Sequence, residues 1–171
     1  KYSAKKYKNK NNYILEINNK KIFLPLNLQH LELTILSAYV VAKELGMAHH
    51  DINKYINTFN LPEGRGKSIK IQNDVILIDD CYNANPSSVL LAINRLNDLF
   101  ISGKKIFIFA DMLELGSYSK KEHIKVAENL DNSNIDIVIT YGEYSHFTYT
   151  SIKNKLIRKK HFHKMEDLKK Y

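Results

Sequence analysis

Apolar and polar positions change their spacing along the chain, and the first part contains a strand pattern followed by a helix pattern. Two short apolar runs, at residues 13–17 and 21–24, flank Asn18 and Asn19. Asparagine tolerates a positive φ, so this arrangement predicts a β-hairpin. Apolar residues then recur at helical spacing over residues 28–45, which predicts a helix, and a second helix is expected after it.

Strand and helix patterns alternate in the second part of the chain. Residues 61–64 (Leu-Pro-Glu-Gly) break the helical pattern, and two strands are predicted around a turn at Asn73 and Asp74. The later predicted elements are helix 86–101, strand 105–110, helix 120–130, strand 135–140, helix 145–152, strand 160–163 and a helix near residue 166. This alternation indicates an α/β fold with a Rossmann-like, mostly parallel sheet that carries helices on both faces.

The loops after the predicted strands are the expected ligand sites, because ligands of parallel sheets bind at the carboxyl ends of the strands. These loops are residues 79–86, 111–119 and 141–145, and the first two are unusually polar. Residues 79–86 are Asp-Asp-Cys-Tyr-Asn-Ala-Asn-Pro. Their carboxylates and amides can hydrogen-bond to sugar hydroxyls, or they can cap the helix that follows. Residue chemistry leaves both interpretations open.

The charge balance is basic, with 26 Lys and Arg against 18 Asp and Glu and a net charge of +8. The excess lies mainly at residues 1–10 and 153–170, without a groove-reading motif. We interpret these segments as a solvated surface and expect no nucleic-acid partner. An alternative is a basic α/β module that binds nucleic acid through the same two segments.

Metal and membrane sites are not indicated by the sequence. The single cysteine, Cys81, excludes an internal disulfide and a cysteine-based zinc site. Six histidines show no convincing metal-ligand spacing with acidic partners, so no metal site is predicted. These six are His30, His49, His50, His146, His161 and His163. No run approaches the roughly 18 apolar residues of a membrane span, so a cytoplasmic protein without a membrane partner is expected.

Residues 64–68 (Gly-Arg-Gly-Lys-Ser) end like a phosphate-binding loop. The pattern requires a glycine at position 61, where the chain has Leu61, and a strand rather than a helix is predicted afterwards. A phosphate loop needs backbone amides that lead into a helix N-terminus, so we reject this interpretation.

Three stretches together resemble the Mur ligase family, and in particular its members that add D-alanyl-D-alanine in peptidoglycan synthesis. Residues 79–86 resemble the signature Asp-Asp-Ser-Tyr-Asn-Ala-Asn-Pro, with Cys81 in place of serine as an expected packing residue. Residues 61–65 (Leu-Pro-Glu-Gly-Arg) resemble the Pro-x-x-Gly-Arg segment at the family's domain junction, with the proline one position closer to the glycine. Residues 111–116, with His123 downstream, resemble its Gly-Asp-Met-x-Glu-Leu-Gly…His block. The order and spacing of these stretches agree over most of the chain.

The resemblance implies a first group of site residues that bind the nucleotide. Arg65 and Asp80 match the positions that contact it. A guanidinium can approach phosphate or stack on a base, and a carboxylate can accept hydrogen bonds from ribose hydroxyls. Tyr82 and Asn83 would line the same pocket.

A second implied group is Asp111, Glu114 and His123, which would face the cleft that binds the incoming dipeptide. An alternative for the two carboxylates is that they satisfy backbone amides and hold the shape of their loop. For His123 the alternative is a cap or an indirect contact. No catalytic residue is expected in this chain.

The function implied by the resemblance is that of an ATP-dependent amide ligase. The carboxylate of UDP-N-acetylmuramoyl-tripeptide is activated as an acyl phosphate and then joined to D-alanyl-D-alanine. Residues 1–62 would be the tail of a central ATPase domain, and residues 63–171 a C-terminal domain truncated at its end. The phosphate loop and the Mg²⁺ ligands are expected in missing domains of the same enzyme, so the chain alone is expected to be inactive.

Some positions depart from the family pattern. Leu31 and Thr34 stand where the family has asparagines, one of which would approach the nucleotide, and Ala110 replaces a glycine. A second alternative is a metal-dependent, phosphatase-like α/β enzyme that uses Asp79 or Asp111 at a strand end. The fold alone does not exclude it, because one fold serves many functions.

Overall fold

The computed structural model describes residues 2–9, 12–25, 28–99 and 101–171, and it divides the chain into two compact units, Lys1–Asp80 and Cys81–Tyr171. The predicted domain boundary lies after residue 62, whereas this division lies after residue 80. Residues 63–80 therefore belong to the first unit and not to the second. No helix within the described residues has the length and apolar character needed to cross a membrane.

The first unit begins with an antiparallel sheet of three strands, followed by two helices. The strands are β1 (Ala4–Asn9), β2 (Asn12–Ile17) and β3 (Lys20–Leu24), in the order β1-β2-β3, and the helices are α1 (Glu32–Glu44) and α2 (His49–Thr58). Asn18 and Asn19 form the β2–β3 turn with φ of 45° and 63°, which confirms the predicted hairpin. β1 was not predicted. α1 begins four residues after Leu28, because Leu28 is buried in a preceding turn.

Apolar side chains from the strands and both helices form one core in this unit. Its buried members are Leu15, Ile17, Ile22, Leu24, Leu28, Ile35, Tyr39, Ile52 and Leu61. Alternate strand residues and helix residues at three- to four-residue spacing supply this core, as the pattern of each element requires.

An antiparallel hairpin closes the first unit. Its strands are β4 (Lys67–Lys70) and β5 (Ile76–Asp79). Asn73 and Asp74, both with φ of 58°, lie in the connecting turn, which confirms the turn expected from their tolerance of the left-handed region.

The second unit is built on a parallel sheet. The strands are β6 (Ile106–Ala110), β7 (Ile137–Tyr141) and β8 (Arg158–Phe162), in the order β6-β7-β8. The helices are α3 (Pro86–Asp98), α4 (Ser119–Asp131), α5 (Ser145–Ser151) and α6 (Met165–Lys170). The predicted parallel sheet and alternation of strands with helices are confirmed. α3 ends three residues before the predicted limit of residue 101.

The core of the second unit joins α3 and α4 to the sheet. Its buried residues are Val89, Ile93, Phe109, Met112, Val126, Ala127, Leu130, Ile135, Val138, Ile152 and Ile157. Because the three strands are parallel, their carboxyl ends lie at one edge of the sheet, and the loops that follow them meet there.

Candidate functional site

Asp79, the last residue of β5, holds the loop that carries Arg65. Its carboxylate Oδ2 accepts a hydrogen bond from the Gly64 N–H at 3.0 Å, and its carbonyl accepts one from the Gly66 N–H at 2.7 Å. Both glycines have positive φ, 70° and 82°, which favours glycine at these positions. The Arg65 side chain between them is exposed.

Asp80 differs from Asp79 in its surroundings. Asp79 is half-buried and bonded to the glycine loop, whereas Asp80 is exposed. Successive residues of an extended strand point to opposite sides, so one of two adjacent carboxylates faces the structure and the other faces solvent. Within the first unit, the exposed Arg65 and Asp80 are therefore the side chains of this motif that can reach a ligand.

The residues after Asp80, at the start of the second unit, differ in their roles: one caps a helix and others are exposed. The Asn85 side chain accepts a hydrogen bond from the Ser88 N–H at 2.9 Å, and the Ser88 hydroxyl accepts one from the Asn85 N–H at 3.0 Å. This reciprocal cap begins α3, so the capping interpretation holds for Asn85. Tyr82 is 68% exposed. Cys81 is also exposed, and the expectation that it packs inside the protein is wrong.

Asn83 is exposed, and its side-chain oxygen accepts a hydrogen bond from the Ala84 N–H at 2.8 Å. This contact is local and leaves the amide nitrogen of Asn83 at the surface. The role of Asn83 towards a nucleotide stays a prediction.

Asp111 joins the loop after β6 to the loop after β7. Its Oδ2 accepts a hydrogen bond from the Glu143 N–H at 2.9 Å, and its Oδ1 accepts one from the Ser145 N–H at 2.7 Å. Gly142 lies against this carboxylate, and a Cβ placed there would be 2.3 to 2.6 Å from it. The half-buried Asp111 thus accepts hydrogen bonds from backbone amides and holds the shape of these loops, which was the alternative to a contact with the substrate.

Glu114, in contrast, is exposed, and it has a φ of 63°. A glutamate in the left-handed region is uncommon and costs roughly 1 kcal/mol or more. Strain of this kind concentrates at functional sites. Glu114 is therefore the carboxylate of residues 111–119 that remains available for a substrate.

His123 is fully buried in α4, and both ring nitrogens bond to the backbone. The Met112 N–H donates to Nε2 at 3.1 Å, and Nδ1 lies 2.8 Å from the Ser119 carbonyl. The two partners, one donor and one acceptor, require a neutral ring with its proton on Nδ1. His123 fastens the loop after β6 to α4, which favours an indirect role over contact with a substrate.

The structure also brings together three histidines for which the sequence predicted no metal site. His146 of α5, His161 of β8 and His163 each offer a ring nitrogen, and these atoms lie within 4.8 Å of one another. Burial lowers the pKa of His161, and His163 and His146 lower it further, whereas Asp111 opposes them. The two-residue spacing of His161 and His163, at the end of β8 and just after it, was a detectable signal. The contribution of His146 depends on tertiary packing.

Comparison with known proteins decides the family. The model of the family described as "Mur ligase, glutamate ligase domain" matches residues 64–171, which is more than half of the chain. The chain belongs to the Mur ligase family. The match begins at the glycine loop held by Asp79, so this hairpin belongs with the family domain although it lies in the first compact unit. Membership of a ligase family favours the ligase interpretation over the nucleic-acid and phosphatase alternatives.

Two curated relatives illustrate the similarity. The UDP-N-acetylmuramoyl-tripeptide--D-alanyl-D-alanine ligase of Rickettsia prowazekii is 32% identical over 154 residues, covering 89% of this chain and 34% of the relative. The ligase of the same name from Bacillus subtilis is 30% identical over 125 residues, covering 73% of this chain and 27% of the relative. This Mur ligase chain thus spans about a quarter to a third of the length of these curated relatives.

A solved structure shows the same fold. The MurF ligase from Thermotoga maritima, crystallised in complex with ADP, superimposes with a TM-score of 0.75 at 24% identity, covering 99% of this chain and 39% of that one. The Mur ligase fold of the chain is therefore supported by coordinates as well as by sequence.

Proposed function

We propose that this chain supplies the C-terminal part of an ATP-dependent amide ligase that adds D-alanyl-D-alanine to UDP-N-acetylmuramoyl-tripeptide in peptidoglycan synthesis, in the cytoplasm. The names of the relatives and the three matching motifs support this proposal. In the proposed reaction the tripeptide carboxylate becomes an acyl phosphate, and the dipeptide amine then forms the amide bond.

The observation that carries the proposal is the arrangement of residues 64–66, the glycine loop that Asp79 holds. Asp79 is occupied in holding Gly64 and Gly66, and this leaves Arg65 and Asp80 exposed. A guanidinium and a carboxylate fit the phosphates or base and the ribose hydroxyls of ATP, respectively. We assign nucleotide contacts to Arg65 and Asp80.

Further contacts are proposed from the resemblance. Tyr82 and Asn83 would add nucleotide contacts. Glu114 would contact the dipeptide, and its exposure and strained backbone support this role. Asp111 and His123 would act as positioning residues, because their polar atoms already bond to the backbone of neighbouring loops.

The Mg²⁺ ligands are proposed to lie outside this chain. Magnesium prefers oxygen ligands, mainly carboxylates, phosphates and water. Among the described residues, the potential metal ligands that converge in a group of three are all histidines. When bound, Mg²⁺ would neutralise charge on the transferred phosphoryl group, and other domains of the ligase would hold it.

We expect no ligase activity from this chain alone, because its sequence contains no phosphate loop. The measurement is phosphate release from ATP in the presence of the tripeptide nucleotide and D-alanyl-D-alanine. The expected rate equals that of a control without the dipeptide. Release that requires both substrates would contradict this expectation.

Weak nucleotide binding should nevertheless be measurable by NMR chemical shifts during an ATP titration. We expect shifts at millimolar ATP, since most phosphate contacts are absent, and at least a fivefold loss of affinity in Asp80→Ala and in Arg65→Ala, about 1 kcal/mol each. Asp74→Asn is the matched control, because Asp74 is an exposed carboxylate in the β4–β5 turn and asparagine tolerates its φ of 58°.

Two results would count against the nucleotide assignment. One is the absence of any shift at the highest ATP concentration. The other is a set of shifts that Asp80→Ala and Arg65→Ala change no more than Asp74→Asn does.

A further inference from the structure

Three imidazole rings converge at the carboxyl edge of the parallel sheet. His146 is the second residue of α5, His161 lies near the end of β8, and His163 follows that strand. The ring centroid of His161 is 4.8 Å from that of His146 and 4.4 Å from that of His163. The first two rings are half-buried and the third is exposed. The group therefore opens to solvent on one side.

The hydrogen bonds of these rings leave ring nitrogens close to one another. The Nδ1 atom of His161 lies 2.8 Å from the hydroxyl oxygen of Thr140, which is fully buried on β7. When this nitrogen carries the proton and donates to Thr140, Nε2 is unprotonated and its lone pair can bind a metal ion. That Nε2 lies 3.4 Å from Nδ1 of His163. Nδ1 of His146 is buried and has no hydrogen-bond partner among the described residues.

We propose that His146, His161 and His163 form a binding site for a late first-row divalent metal ion, represented by Zn²⁺. Three imidazole nitrogens with a fourth position open to water is an established coordination pattern for zinc. Zn–N bonds of about 2.0–2.1 Å in a tetrahedron place the nitrogens about 3.3 Å apart. The 3.4 Å between Nε2 of His161 and Nδ1 of His163 already matches this spacing, and the ligand atoms of all three histidines lie within 4.8 Å of one another.

The contact between His161 and Thr140 supports ligation in particular. A histidine ligand usually donates its second ring N–H to a fixed acceptor, which sets the tautomer and the ring orientation. Thr140 is opposite His161 in the β7–β8 pairing, so the backbone register holds the two side chains together.

The nearby charges are compatible with a bound cation. The Nζ atom of Lys159 bonds to the carbonyls of Tyr149 and Ile152, and that of Lys160 lies 4.0 Å from the centre of the Tyr171 ring. These two ammonium groups are thus directed at other partners. Imidazole ligands without a carboxylate favour Zn²⁺, Ni²⁺ or Cu²⁺ over Mg²⁺ or Ca²⁺.

A bound ion would join α5 to the end of β8. This inference does not depend on the proposed ligase function.

The test is a calorimetric titration of the metal-free full chain with Zn²⁺, after removal of any purification tag. We expect one ion per chain. Co²⁺ in place of Zn²⁺ is expected to give the intense visible absorption of a tetrahedral site.

His163→Ala is the main variant, because the exposed side chain can be removed without a core defect. Its affinity for Zn²⁺ is expected to fall at least tenfold, and Thr140→Val is expected to cause a loss of about tenfold through the lost support of His161. His50→Ala is the matched control, since His50 is an exposed histidine on α2. Its affinity should be unchanged.

The proposal would be overturned if the chain bound no stoichiometric Zn²⁺. It would also be overturned if His163→Ala bound Zn²⁺ as tightly as His50→Ala. Either failure leaves the nucleotide assignment of Arg65 and Asp80 untouched, because that assignment is measured with ATP and with different variants.

Discussion

His123→Ala is expected to lower the free energy of unfolding by about 3 kcal/mol. The substitution removes a fully buried ring that packs beside Phe109 and Tyr144, at centroid distances of 5.7 and 6.0 Å. It also leaves the Met112 N–H without its acceptor in a buried position. A cavity and an unpaired buried donor act in the same direction, so their costs combine.

The measurement is urea unfolding followed by circular dichroism, which suits a chain with no tryptophan. His50→Ala is the control, because the His50 side chain is 81% exposed and should change stability by less than about 0.5 kcal/mol. His123→Gln can place an amide near the position of Nε2 and accept from Met112, so it should recover part of the loss. Equal stabilities for His123→Ala and His50→Ala would contradict the positioning role of His123.

Gly142→Ala is expected to destabilise the second unit by about 2 to 4 kcal/mol. A Cβ at this position would lie 2.3 Å from Oδ1 of Asp111, and the φ of +121° is unfavourable for any L side chain. The carboxylate would have to move, and it would then lose its bonds to the Glu143 and Ser145 N–H groups. The loop between β7 and α5 would lose its attachment to the loop after β6.

Substitutions at two other glycines separate the steric cost of the new Cβ from the backbone cost of the positive φ. Gly103 has open space where a Cβ would lie and no positive φ, so Gly103→Ala should be nearly neutral. Gly46 also has open space but a φ of +86°, so Gly46→Ala should show the backbone cost alone, about 1 kcal/mol. A loss in Gly142→Ala no larger than that in Gly46→Ala would contradict the steric argument.

A double-mutant cycle with Asp111→Ala tests the contact itself. Asp111→Ala removes the group that the new methyl would strike, so the double variant should be more stable than the sum of the two losses predicts. We expect a coupling energy of about 1 to 2 kcal/mol. Additive losses would show that Gly142 and Asp111 do not act through this contact.

Much of the fold was predictable because it depends on local rules. Asn18 and Asn19 marked the β2–β3 turn through their tolerance of positive φ, and Pro86 marked the start of α3. Alternating strand and helix periods indicated the parallel sheet. β1 was missed because its residues, Ala4–Asn9, are polar and pair only with β2. Such an edge strand has no hydrophobic pattern to identify it.

The candidate site was predictable in its residue types but less so in their roles. Asp79 and Asp80 are adjacent and chemically alike, yet one bonds to Gly64 and the other is exposed. Asp111 and Glu114 differ in the same way, because Asp111 is hydrogen-bonded to a backbone N–H and Glu114 is exposed. Partners 15 or more positions away decide these roles, and a linear motif contains no information about them.

The sequence by itself determined the order of the main elements from β2 onward, the family and the loops in which polar residues collect, because these follow from periodicity and from motifs read along the chain. Only the tertiary structure decided which of those residues are bound internally and which face solvent. It also placed His146 beside His161 and His163, since α5 packs on the sheet at the end of β8. The physical reason is that hydrogen-bond satisfaction and burial depend on contacts between segments distant in sequence.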